Sequence, residues 1–213
     1  MKKDKILFDL DGTIINPSEG IFKSVRYSLM RMDWTTPSDK VLKSFIGPPL
    51  LDSYIELGMT EEQAEEAIGH YRKLYSKEGL YLMSPYAGIE EVLIELAKTK
   101  ELYIATSKPD VFASQILDHL GFSQYFRGIY GANLEGTRSK KADVIRHVFE
   151  EAKIESSNDV VMIGDRMHDI IGALENNIES IGVLYGFGDE KELKKAGATE
   201  IVADTLDLLQ LIQ

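Results

Sequence analysis

The sequence predicts an α/β protein: a doubly wound, Rossmann-like parallel sheet with an all-helical segment inserted after its first strand. Three observations predict it. Short continuous apolar runs recur along the chain, as in strands covered on both faces. From about residue 88 onward they alternate with amphipathic stretches whose apolar residues fall three and four apart. Residues 19–81, in contrast, carry helical patterns and no convincing strand, a longer excursion than a simple βαβ return to the sheet.

The elements follow in order. Ile6-Leu7-Phe8 is the first strand. Asn16-Pro17-Ser18 is turn-rich and marks the way out of the sheet. Helices are expected over 20–32, 40–45, 50–57 and 61–75, the last opened by Thr60 as N-cap with its Glu61-to-Glu66 run on a solvated face. Gly47-Pro48-Pro49 reads either as a substrate-facing loop or as a helix break with Pro at a helix start. Met83-Ser84-Pro85 marks the return, so residues 1–16 and 84–213 form the core and 17–83 the insert. Tyr71, Tyr75, Tyr81 and Tyr86 gather near that return; core packing is the default expectation, with one ring lining the cap side of the pocket as the alternative. Helix 89–98 then precedes a strand at Leu102-Tyr103-Ile104-Ala105, and helix 111–120 precedes a weaker strand at Gly128-Ile129-Tyr130. Helix 142–152 precedes Val160-Val161-Met162-Ile163, after which come strands at Ser180-Ile181-Gly182-Val183 and Ile201-Val202.

Composition narrows the function. With 213 residues and 44% hydrophobic content, the chain can bury one good-sized domain, or a core with a smaller insert. A formal charge of −11 and a pI near 4.9 argue against a nucleic-acid polymer or an anionic membrane as partner, but leave room for a small phosphorylated metabolite. The absence of cysteine excludes disulfides, zinc–thiolate sites and thiol catalysis. The N-terminal apolar run is broken by Asp9 and Asp11 and is no signal peptide, and no apolar run reaches the roughly 18 residues of a membrane span. A cytoplasmic monomer is expected.

Ligands of open α/β sheets bind at the carboxyl ends of the strands. After the first strand stands Asp9-Leu10-Asp11-Gly12-Thr13, and after the second Thr106-Ser107-Lys108-Pro109. Before helix 142–152 stands Arg138-Ser139-Lys140-Lys141, and after the fourth strand Gly164-Asp165-Arg166-Met167-His168-Asp169. Aspartates two apart on a strand point the same way and repel, which calls for a cation or a shared proton. Oxygen-only donors suit a hard ion such as Mg2+, held by a few carboxylates together with substrate phosphate, and Asp9, Asp165 and Asp169 are the candidates. A carboxylate can also attack phosphorus while a second one serves as acid and base. As bland alternatives, Asp11-Gly12 is a turn signal and Asp165 a good N-cap for the helix after it. His70, His119, His147 and His168 are expected at or near the surface.

In these four segments the chain resembles the haloacid dehalogenase (HAD) superfamily of phosphotransferases. Asp9-Leu10-Asp11-Gly12-Thr13 resembles the first motif, DxDGT; Thr106 the second; Lys141 the third; Gly164-Asp165 with Asp169 the fourth, GDxxxD. The resemblance implies a HAD core with an inserted helical cap, as in the phosphoglycolate phosphatase and β-phosphoglucomutase group. It makes Asp9 the nucleophile and a Mg2+ ligand, and Asp11 the general acid/base with its carbonyl on the metal. Thr106, the Ser107 backbone and Lys141 then hold the phosphoryl group, and Asp165 and Asp169 complete the metal site. Lys141 is preferred to Lys140 because Lys141-Ala142-Asp143 fits the family's Lys-Pro-Asp pattern, although its proline is missing. The implied activity is a Mg2+-dependent phosphatase acting on a small phosphomonoester, phosphoglycolate phosphatase-like first, then 5′-nucleotidase-like, then a pyrophosphatase. A β-phosphoglucomutase-like phosphomutase and a catalytically silent binding protein are the alternatives.

Overall fold

The computed structural model describes residues 1–134 and 137–212. They fall into two compact units, residues 1–16 with 85–134 and 137–212, and residues 17–84.

The first unit is built on a six-stranded sheet in which every pairing is parallel. Its strands are β1 (Lys5–Phe8), β4 (Glu101–Pro109), β5 (Gly128–Ala132), β6 (Val160–Gly164), β7 (Glu179–Val183) and β8 (Glu200–Val202). The spatial order is β5-β4-β1-β6-β7-β8. The chain winds outward from β1 through β4 to β5, then crosses back to β6 on the other side. The order therefore reverses at β1, and in such sheets the crevice at the reversal is the ligand site. The doubly wound α/β class expected from the sequence is thus observed. Helices α5 (Ile89–Ala97), α6 (Asp110–Leu120), α7 (Lys141–Glu151), α8 (Met167–Glu175), α9 (Glu190–Ala196) and α10 (Thr205–Ile212) complete the unit. One core layer joins Leu7, Tyr103, Ala105 and Met162 of the sheet to Val144, Ile145 and Val148 of α7 and Ala173 of α8. Alternation along the strand sends Ile6 and Phe8 to the opposite face, where they are equally buried. This two-sided burial is why the strands read as unbroken apolar runs.

The second unit holds α1 (Ser18–Arg31), α2 (Asp39–Leu42), α3 (Leu50–Glu56) and α4 (Glu61–Tyr75). Helix α4 starts as expected at Thr60, whose hydroxyl accepts from the Gln63 N–H while the Gln63 side chain accepts from the Thr60 N–H. The expected helix 40–45 divides into α2 and a 3-10 turn, Lys43–Phe45. Pro49 immediately precedes α3, as a helix break requires. The core of this unit combines aliphatic side chains such as Ile21, Val25, Leu29 and Leu42 with buried aromatic rings. Tyr54 is buried, meets Phe45 edge-on at 5.1 Å and hydrogen-bonds Ser28, and Tyr71 stacks on Tyr75 at 5.2 Å. Tyr81, expected in a core, is 44% exposed.

Several local expectations are corrected. The two crossings are not plain turns: β2 (Ile15–Asn16) and β3 (Ser84–Pro85) form a two-stranded ribbon there, and Ser18 already belongs to α1. In the first unit the Tyr86 N–H donates to the Ile14 carbonyl, which brings the two stretches of chain into register. Strand β4 runs on through Thr106, Ser107, Lys108 and Pro109 because β5 keeps pairing with it, with a register shift between Thr106 and Pro109. Asp165 does not cap α8. Arg166 is the N-cap residue, and the Asp169 carboxylate accepts its N–H at 3.1 Å. No helix among the described residues is long and apolar enough to cross a membrane.

Candidate active site

Strand register assembles the site. Phe8 lies opposite Ile104 on one side and Ile163 on the other, and the Asp9 N–H extends the ladder to the Ile163 carbonyl at 2.9 Å. Asp9, Thr106 and Asp165, roughly 60 to 160 positions apart in sequence, therefore emerge side by side from three adjacent strands. Asp9, Asp11, Thr106, Lys141, Asp165 and Asp169 are all buried, and Ser107 is half-buried at the end of the same strand as Thr106.

Lys141 opens α7 and reaches across the sheet edge. Its Nζ lies 2.7 Å from Asp9 Oδ1, 2.8 Å from Asp169 Oδ1 and 2.8 Å from the Ala105 carbonyl. Lys140 is exposed, so the structure brings Lys141, and not its neighbour, to the cluster. Two glycines make this fit. A Cβ on Gly172 would stand 2.9 Å from Lys141 Cγ, so its absence lets α8 approach α7. A Cβ on Gly164 would stand 2.2 Å from Asp169 Cγ, so the carboxylate occupies the space a side chain would fill.

Asp9, Asp165 and Asp169 each offer an oxygen within 4.8 Å of the others. Asp165 Oδ2 accepts from the Phe187 N–H at 2.7 Å, whereas Asp165 Oδ1 is buried and takes no hydrogen bond from a described residue. The donor set is all oxygen, which is the preference of a hard divalent ion.

One residue and one loop with defined places in the site have no role in the sequence reasoning. Lys108 Nζ lies 2.7 Å from Asp11 Oδ2, with only 6% of its side chain exposed. The loop after β7, Tyr185 to Gly188, wraps Asp165. A Cβ on Gly186 would stand 2.4 Å from both Asp165 Cβ and the Gly12 carbonyl, and one on Gly188 only 2.0 Å from the Asp165 carbonyl. Gly12 itself has φ +89°, a left-handed conformation suited to glycine, and a Cβ there would strike the Asp165 carboxylate. Tyr185 donates to the Thr13 carbonyl at 3.1 Å and packs on Tyr86 at 5.0 Å. The signal for this loop is Gly-x-Gly after an apolar strand at the same sheet edge. For Lys108 it is a lysine two residues beyond Thr106. His168 is exposed, as expected.

Burial dominates the electrostatics. It pushes the Asp165 carboxyl well up, with the charges of Asp169 and Asp9 adding to the shift. It pushes Asp169 up to about 6 despite the opposing ammonium of Lys141. It raises Asp11 against the opposing pull of Lys108. Burial alone would lower Lys141, but Asp169 and Asp9 together hold its ammonium above the ordinary lysine range. The cluster sets four aspartates against the ammonium groups of Lys141 and Lys108.

The sequence profile of haloacid dehalogenase-like hydrolases matches residues 6–183, which include every residue of this cluster. The chain belongs to that family. Among HAD relatives, a 5′-nucleotidase from Pseudomonas aeruginosa is 43% identical over 215 residues, covering 100% of this chain and 97% of its own. The tyrosine-protein kinase PtkA of Mycobacterium tuberculosis is 35% identical over 207 residues, covering 96% of this chain and 70% of its own. A crystal structure described as a predicted phosphatase from Clostridium acetobutylicum superposes with TM-score 0.95 at 45% identity, over 99% of this chain and 98% of the other. More distant HAD relatives are named phosphoglycolate phosphatase, at 25% identity, and pyrophosphatase PpaX, at 27%. The expected enzyme class, a phosphoric monoester hydrolase, stands.

Proposed function

We propose that this HAD enzyme is a magnesium-dependent phosphatase that hydrolyses a small phosphomonoester through an aspartyl-phosphate on Asp9. The observation that carries the reading is Asp9, held by a buried lysine at 2.7 Å, inside a buried all-oxygen carboxylate cluster with Asp165 and Asp169. Asp9, Asp165 and Asp169 would hold Mg2+, with the Asp11 carbonyl, and the all-oxygen donors and the unpaired Asp165 Oδ1 fit that ion. Bound there, Mg2+ would neutralise phosphate and carboxylate charge.

The residues of the chain divide the chemistry. An Asp9 oxygen forms the bond to phosphorus as the ester P–O bond breaks, and Asp11 gives its proton to the departing oxygen. The raised proton affinity of Asp11 suits it to this task. Asp11 then takes a proton from water, whose oxygen attacks phosphorus, releasing phosphate and restoring Asp9. Lys141 orients Asp9 and offsets charge on the transferring group, and Thr106 and the Ser107 backbone hold its oxygens. The helical unit would serve as a cap that selects the leaving group.

Identity of 43% across the whole chain supports testing nucleoside 5′-monophosphates first, ahead of the phosphoglycolate that the family resemblance ranked first. The test is phosphate release from p-nitrophenyl phosphate with magnesium, with EDTA, and in Asp9→Asn. Turnover that needs magnesium and disappears in the variant is expected, and equal activity in the variant overturns the covalent mechanism. Nucleoside 5′-monophosphates, phosphoglycolate and pyrophosphate then resolve the substrate, while interconversion of sugar phosphates would favour the phosphomutase.

A further inference from the structure

Lys108 has no part in the chemistry described so far, yet it is built into the site with care. Its ammonium lies 2.7 Å from Asp11 Oδ2, and the two side chains are 6% and 11% exposed. Its backbone N–H donates to Thr106 Oγ1 at 3.2 Å, so Lys108 is tied to a residue of the proposed phosphate pocket. The register shift between Thr106 and Pro109 gives this end of β4 its irregular course. Gly131 on β5 makes room for it: a Cβ there would stand 2.4 Å from the Lys108 carbonyl and 2.7 Å from the Asp110 nitrogen. The two lysines divide the carboxylates, Lys141 meeting Asp9 and Asp169 and Lys108 meeting Asp11. Asp11 Oδ1 remains buried without a hydrogen bond from any described residue.

We propose that Lys108 is a positioning residue for Asp11, gripping Oδ2 so that Oδ1 is presented to the oxygen of the leaving alcohol. The inference rests on the reading of Asp11 as general acid. A carboxyl free to rotate would spend part of its time turned away from the departing oxygen, and a fixed second oxygen removes that freedom.

The consequence depends on the leaving group. An alkoxide is too basic to depart without a proton, whereas p-nitrophenolate departs readily without one. Loss of an acid's positioning must therefore penalise alkyl phosphates and spare p-nitrophenyl phosphate, whereas a general structural defect penalises both alike. The experiment measures kcat/KM for glycerol 1-phosphate and p-nitrophenyl phosphate in wild type, Lys108→Met, Lys108→Arg and Asp11→Asn, together with magnesium affinity by calorimetry. General acid catalysis contributes about 10²–10⁴-fold, so Lys108→Met should lose roughly 100-fold on the alkyl ester and less than about fivefold on the aryl ester. Lys108→Arg, which keeps a cation in a different geometry, should show the same selectivity at smaller amplitude, and it serves alone if the methionine variant does not fold. Magnesium affinity should change less than about threefold in the Lys108 variants, because that lysine grips Asp11 and not the carboxylates of the metal cluster. Equal losses on the two esters, or no loss on either, overturn the proposal. If Asp11→Asn shows the selectivity and the Lys108 variants do not, only the role of Lys108 fails. If Asp11→Asn lacks it, the acid reading of Asp11 fails and the inference falls with it.

Discussion

Replacing Lys141 with methionine tests the electrostatic design of the site without measuring catalysis. The substitution keeps an unbranched chain of similar length but deletes an ammonium 2.7 Å from Asp9 and 2.8 Å from Asp169. At an effective dielectric constant of about 20, each contact is worth about 6 kcal/mol of attraction. Desolvating the ions offsets much of this, and removing one partner of a buried pair leaves a net cost of about 3–5 kcal/mol. In a chain of this size 1 kcal/mol moves the melting temperature by about 2–4 °C, so the metal-free variant should melt roughly 6–20 °C below wild type at pH 8. Two responses separate this from a packing defect. Magnesium should recover most of the loss, because it supplies the missing positive charge. Lowering the pH to 5 should recover part of it, because Asp169, pushed up to about 6 by burial, then protonates. The assay is thermal melting of wild type, Lys141→Met and Lys140→Met in EDTA and in magnesium at both pH values. A Lys141→Met melt within about 2 °C of wild type at pH 8 in EDTA, or an equal fall in Lys140→Met, would refute the reasoning.

Three further outcomes are expected. Gly186→Ala should weaken magnesium binding at least about tenfold by calorimetry, because its Cβ would stand 2.4 Å from Asp165 Cβ and push that ligand out of place; unchanged affinity would remove the loop from the metal site. Magnesium affinity should rise with pH, with protons released below about pH 6: native Asp169 and Asp165 hold protons above the unfolded aspartate range, so metal-free stability from these groups is lost as pH rises through the folded values, while the metal favours the anions. Calorimetry in two buffers of different ionisation enthalpy reads this directly, and proton uptake would contradict it. Thr60→Ala should cost about 1 kcal/mol in urea unfolding of the helical unit while leaving magnesium affinity alone, since it removes one half of the capping box of α4.

The main architecture and most of the cluster were legible in the sequence because they rest on local rules. Strands covered on both faces must be apolar throughout, so β1 and β6 stand out as Ile6-Leu7-Phe8 and Val160 to Ile163. Carboxylates directly after such strands contradict burial, and that contradiction marked Asp9, Asp11 and Asp165. Less was legible where neighbours distant in sequence decide the outcome. The end of β4 reads as a loop, and only pairing with β5 draws Thr106 to Pro109 into the strand. Asp165 is a good N-cap by type, but its carboxylate is claimed by the Phe187 N–H and the cap of α8 falls to Arg166. Helices α8, α9 and α10 were not singled out by periodicity.

The sequence by itself determined which residues carry charge next to apolar strands, and hence the α/β class, the HAD family and the chemistry open to it. Only the tertiary structure decided which lysine meets which carboxylate. Lys140 and Lys141 are chemically identical neighbours, and the helical turn that starts α7 buries one and exposes the other. Lys108 looks like any loop lysine until the irregular end of β4, accommodated by Gly131, sets it against Asp11. Charge type is a property of the residue, whereas charge pairing falls off within a few ångströms and is fixed by strand register and helix approach, which no local stretch of sequence specifies.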